Sequence, residues 1–145
     1  MGYTHYFQQL KDVEPEAWQQ IIDHFRRLLT LQLVKGEPLP IQFESDHPSP
    51  PEINEECIRF NGIGEEGCET MLLERVSNKQ FTFCKTRRRA YDTSVVALLI
   101  LADHFAPGAY EIQSDGDPTD WLPGLDLVRQ VLPEAQSPLR PWKDA

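Results

Sequence analysis

The sequence has few cysteines, no long apolar run and, across one stretch, almost no positive charge. Cys57, Cys68 and Cys84 are odd in number and none stands in a Cys-x-x-Cys pair. That excludes a disulfide framework and a zinc ribbon, and leaves three free thiols as the expectation. His5, His24, His47 and His104 lack the close spacing of structural zinc ligands, so no metal site and no cofactor is expected. The longest apolar run, residues 95–102, is eight residues long, against roughly 20 needed to cross a bilayer. "MGYTHYF" lacks the basic start and apolar stretch of a signal peptide, and Tyr6 stands where a myristoylation signal has Ser or Thr. A cytosolic protein with no membrane partner is expected.

Two catalytic motifs are also missing. No G-x-x-x-x-G precedes Lys85-Thr86, where "SNKQFTFC" stands, so the pair does not belong to a P-loop. No G-x-S-x-G nucleophile turn occurs anywhere.

What is present suffices for one domain. The chain has 145 residues, 40% of them apolar, with three Trp, four Tyr and seven Phe to fill a core. Charge is distributed unevenly. Between Glu44 and Glu74 nine acids face a single cation, Arg59, so most of the net charge of −9 sits there. Such a band repels a nucleic acid backbone, which makes direct nucleic acid binding an unfavoured reading. It either keeps the protein soluble or attracts a basic partner surface.

Periodicity divides the chain into elements. Residues 3–7 alternate as a short strand. Pro15 opens a helix whose stripe is Trp18, Ile21, Ile22, Phe25, Leu28 and Leu29, ended by Gly36 and Pro38. Residues 37–56 carry five prolines and read as a surface excursion with a short edge strand at 41–43. Strands follow at 57–61, 69–75 and 80–86, and their short connections favour an antiparallel meander. Asp92 is the expected N-cap of a central, nearly all-apolar helix to His104. A last strand at 109–113 leads to a second cap at Asp117, with Pro118 in first position and Asp120 in the first turn. Pro123 and Gly124 are expected to break or restart that helix before residues 125–132. The expectation is one α+β domain over residues 1–132, mainly antiparallel sheet with two or three helices on one face, and a loosely held tail at 133–145.

With "GYTHYF", Trp18, "IRFNG", "CET", "FCKT", "YD" and "SDG" followed by Trp121 in this order, the chain resembles a family of uncharacterised proteins found in bacterial and phage genomes. The resemblance spans most of the chain and implies a phage or prophage setting, without an activity. The family pattern has fewer cations after the Lys-Thr pair and a Pro before the Tyr. Arg89 and Ala90 stand there instead, so the full arginine run belongs to this sequence.

That run, "CKTRRRAYD", is where chemistry is expected. Lys85 and Thr86 end a strand and Asp92 starts a helix, so their side chains and the helix N–H groups could converge on an anion, with Arg87 adding a rigid donor fork. The competing reading is a solvated loop paired with the acidic band. Asn61, Glu69, Asp92 and Asp115 lie near strand ends or helix starts and complete a candidate pocket, although each also fits a turn or cap. "DGDPTD" clusters carboxylates but lacks the Gly and Glu of a calcium loop. His5 shares a strand face with Tyr3 and Phe7: it is either a hydrogen-bonded core residue or, beside Asp92 or Glu69, a general acid or base.

Two functions follow. In one, Asn61, Lys85, Thr86, Arg87 and Asp115 hold a phosphate-bearing or carboxylate-bearing small molecule, with His5, Glu69 and Asp92 available for catalysis. In the other, the acidic band docks on a basic host-protein surface as a nucleic acid mimic or inhibitor.

Overall fold

The computed structural model describes residues 2–78 and 80–139. Within them the chain forms an α+β domain in which every strand pairing is antiparallel. Strand β1 (Thr4–Gln9) leads into helix α1 (Pro15–Val34), then β2 (Ile41–Gln42), β3 (Glu52–Ile53), β4 (Cys57–Gly62), β5 (Met71–Glu74) and β6 (Phe83–Lys85). Helix α2 (Asp92–Phe105), β7 (Tyr110–Ser114) and α3 (Leu122–Arg129) complete it.

Helix α1 buries Trp18, Ile21, Ile22, Phe25 and Leu28, the stripe legible in its sequence. Each such side chain contributes roughly 1.5–3 kcal/mol when taken from water. The helix ends where expected. Gly36 takes φ +81°, its N–H reaches Leu33 O, and Glu37 N–H reaches Gln32 O, the paired closure that only a left-handed C′ residue allows cheaply. Helix α2 is buried from Ser94 through Ala102 because α1, α3 and β7 all pack on it. Gly124 lets α3 approach: a Cβ there would stand 2.4 Å from Val96 Cγ1.

The strands form two sheets. In one, β1 is central between β6 and β7; in the other, β4 is the strand with which β2, β3 and β5 all pair. The β4–β5 hairpin follows the meander expected from the sequence, but β6 leaves it for β1. The redirecting segment begins at Arg75, which is pinned to the chain after β1. Its carbonyl accepts Val13 N–H (2.8 Å) and Gln9 Nε2 (2.8 Å), and its guanidinium donates to Val13 O. Lys79, in the expected "SNK" connection, lies outside the described residues.

Two expectations are corrected. Helix α3 starts at Leu122 and contains Pro123 and Gly124, because Pro in the first turn needs no N–H partner. The tail is held at least as far as Ala135, which is fully buried and whose carbonyl accepts Arg129 Nε at 2.9 Å. Of the residues expected to form a loose tail, 140–145 lie outside the described residues. Among those described, no helix is long and apolar enough to cross a membrane.

Candidate functional site

The pleat of β1 decides what can meet at the site. His5 stands opposite Cys84 of β6 and Ser114 of β7, so these three side chains share the face that packs on the helices. His5 is fully buried and bonded at both ring nitrogens: Nδ1 to Ser114 Oγ (2.8 Å) and Nε2 to Asp92 Oδ1 (2.7 Å). The partners of Ser114 assign the proton. Its oxygen already accepts Gly116 N–H (2.9 Å) and Trp121 Nε1–H (3.1 Å), so the Ser114 hydroxyl donates to Nδ1 and His5 donates from Nε2 to Asp92. The hydroxyl of fully buried Thr86 donates to the same Asp92 oxygen at 2.5 Å.

The order hydroxyl, imidazole, carboxylate is that of nucleophilic catalysis. Here it works as a clamp. Both lone pairs of Ser114 are taken, and neither nitrogen of His5 faces solvent. The clamp joins β1, β7, the start of α2 and the loop before α3. Asp92 accordingly does not cap α2: the cap position is Tyr91, no side-chain cap bond forms, and the Asp92 carboxylate turns to His5 and Thr86 instead. Asp117 does not cap α3 either: the cap position is Trp121, without a side-chain cap bond. Asp117 accepts Asp120 N–H while Asp120 accepts Asp117 N–H, a reciprocal pair that closes the turn before the helix.

Tyr3, on the same face, meets His5 edge-on at 5.1 Å. Its ring carries the Arg88 guanidinium 3.9 Å above the centroid, and Arg88 also donates to Asp120 Oδ1 at 3.2 Å. Burial pushes the Tyr3 hydroxyl up to about 12, with the charges of Asp92 and Asp120 adding and Arg88 opposing. The Asp117 backbone N–H, and after it Arg88, holds the Asp120 carboxyl below its ordinary range. Gly116 closes the site: a Cβ there would fall 2.1 Å from Tyr3 Oη.

The arginine run forms a tight turn of unusual hand. Arg87 and Arg88 both have positive φ, 55° and 59°, and Arg89 N–H closes on Thr86 O at 3.0 Å. This is the geometry of a type I′ turn, whose central positions favour Asn and Gly. Bonds from Thr86 N–H and Arg87 N–H to Tyr3 O, and from Arg88 N–H to Thr86 Oγ1, hold it. Arg88 is anchored on Tyr3 and Asp120. Among the described residues the side chains of Lys85, Arg87 and Arg89 have no carboxylate partner, and none pairs with the acidic band.

The other residues singled out in the sequence fall elsewhere. Lys85 stands opposite Thr4, so its side chain leaves the sheet on the face away from His5. Asp115 lies beside it in register, accepting Thr4 N–H at 3.0 Å and Tyr6 OH at 3.4 Å. Glu69 is exposed and accepts Lys85 N–H at 2.8 Å, while its carbonyl accepts the Tyr91 hydroxyl at 2.6 Å. Asn61 is buried and fully used in fastening its own loop. It donates to Cys68 O and Thr70 Oγ1 and accepts from Gly62 and Cys68 N–H. The expected single pocket therefore divides: His5, Thr86 and Asp92 are one cluster, Lys85 and Asp115 lie across the sheet, and Asn61 is apart.

Ser114, Trp121 and Tyr3 were not singled out. The signal was there in the alternation that pairs Tyr3 with His5 and in the "SDG" block followed by Trp121. Among the described residues, no cluster of His, Cys, Asp and Glu is arranged to hold a metal. No family model, curated protein or solved structure matches the chain.

Proposed function

We propose that the protein binds a small molecule bearing phosphate or carboxylate at the turn between Lys85 and Asp92, in the phage or prophage setting that its sequence blocks imply. The observation that carries this reading is the left-handed Arg87–Arg88 turn with Lys85, Arg87 and Arg89 around it, none with a carboxylate partner among the described residues. Left-handed backbone costs about 1–2 kcal/mol for an ordinary residue with a Cβ, and Asn-Gly would make the same turn at lower cost. Strain of this kind persists where neighbours hold it and function uses it. Three closely spaced cations without a carboxylate partner among the described residues, in a chain of net charge −9, are a matching surface for an anion. A carboxylate, Asp92, stands in the first turn of α2, so the binding is assigned to the cationic side chains. The clamp around His5 offers no free base, so the reading is binding without turnover.

The test is thermal stability against inorganic phosphate, pyrophosphate, sugar phosphates and dicarboxylates at fixed ionic strength, with a Lys85→Ala, Arg87→Ala variant beside the parent. A ligand at about 100 times its dissociation constant adds roughly 2.7 kcal/mol. A rise in melting temperature lost in the variant supports the proposal; no rise with any anion defeats it.

Docking of the acidic band on a basic host protein has less behind it. Glu44 is engaged inside the fold by Arg59 and by the Thr70 hydroxyl at 2.5 Å, which lowers its carboxyl below the usual range, Thr70 first. Reversing Glu55, Glu56, Glu65 and Glu66, all exposed, would abolish that interaction and spare anion binding.

A further inference from the structure

The three-stranded sheet has one face on the helices and one in solvent. On the helix face lie His5, Phe7 and Cys84, all buried. On the other, Tyr6 stands opposite Phe83 and Thr4 opposite Lys85. Phe81 and Phe83 are 58% and 50% exposed. Tyr6 and Phe81 stack at 5.9 Å with 29° between their planes, and Phe81 lies 6.2 Å from Phe83. Three adjoining rings on an open sheet face are an exception in a chain whose other large aromatics are mostly buried.

The position of these rings relative to the cations specifies the ligand. Phe81, Phe83 and Lys85 alternate along one segment, so all three project from the same face. Arg87, exposed and unpaired among the described residues, follows two positions later. Two residues of strand span about 6.8 Å, a step comparable with the sugar between a base and its first phosphate.

We infer that the anionic ligand is a free nucleotide, its base stacked on Tyr6, Phe81 and Phe83 and its phosphates held by Lys85 and Arg87. This rests on the anion reading above and adds the class of molecule. Aromatic side chains on a sheet take bases of any sequence through their π-faces. A nucleotide fits better than a strand because carboxylates border the platform. Asp115 bonds Tyr6 OH, Glu69 accepts Lys85 N–H, and Glu111 is exposed on β7, so a long phosphate backbone would meet repulsion.

The test is calorimetric titration of ADP, adenosine and inorganic pyrophosphate into the parent, a Phe81→Ala, Phe83→Ala variant and a Lys85→Ala, Arg87→Ala variant. Both phenylalanines are exposed, so their removal leaves the core intact. ADP is expected to bind at least tenfold more tightly than pyrophosphate. The phenylalanine variant should bring ADP down to the pyrophosphate level while leaving pyrophosphate unchanged. Equal affinities for ADP and pyrophosphate, with both lost in the cation variant, would overturn the nucleotide assignment and keep the anion reading. No binding of any probe would defeat both. A concentration-dependent dimer removed by the phenylalanine variant, with no preference for ADP, would assign the face to a second copy of the chain. Tighter binding of a single-stranded oligonucleotide than of ADP would also overturn the inference.

Discussion

His5 and Asp92 are 87 positions apart in the chain and 2.7 Å apart in the fold, joined through a ring with no exposed atoms. This contact ties the first strand to the start of the central helix. His5→Ala removes it, opens a void beneath Trp121 and strips Ser114 and Asp92 of a partner. A loss of about 3 kcal/mol is expected in urea unfolding. Asp92→Asn keeps an oxygen for His5 and Thr86 and is expected to cost about 1 kcal/mol. A His5→Ala loss below that of Asp92→Asn would contradict the clamp.

The turn offers a contrast between neighbours. At φ 55° Arg87 pays for a conformation that Gly adopts freely, and its side chain has no partner among the described residues. Arg87→Gly should therefore raise stability by about 0.5–1 kcal/mol. Arg88→Gly gains the same relief but loses the Tyr3 stack and the Asp120 pair, and should show no net gain. Chemical denaturation of the two variants side by side checks the difference.

Gly116→Ala is expected to be more damaging than an ordinary surface Gly→Ala. Its Cβ would collide with Tyr3 Oη, which is fixed by ring contacts to His5 and Arg88. A fall of about 1–3 kcal/mol is expected, and Tyr3→Phe in the same chain should recover part of it, as measured by melting temperature.

Acid should weaken the fold through Glu44 and Asp120. Both carboxyls titrate below their ordinary values of 4.5 and 3.8, so the folded state binds protons less readily than the unfolded chain. Each contribution is complete above the ordinary value and is lost as pH falls through the lowered one. Glu44→Gln should lower the melting temperature at pH 7, and its difference from the parent should shrink as falling pH protonates Glu44 in the parent.

Much of the fold was legible because local patterns decided it. The α1 stripe, the Gly36 stop and the all-round apolar α2 each depend on residues within a few positions. The division into two sheets was not legible, since it depends on Arg75 reaching Gln9 and Val13 far away in sequence. The site shows the same limit. The cations of the arginine run were evident, and so was the alternative for His5 as a core residue. That Asp92 would abandon capping for His5, and that Lys85 would face away from it, follows only from the β1–β6 register. The left-handed turn was the least legible feature, because arginine carries no sequence signal for positive φ.

The most direct measurement of the anion site is calorimetric titration of pyrophosphate into the parent and into Arg87→Gly at low ionic strength. Saturable binding to the parent, absent in a variant that is equally or more stable, is the expected result. Equal binding by both proteins, or none by the parent, would contradict the claim that this turn holds its strained shape to bind an anion.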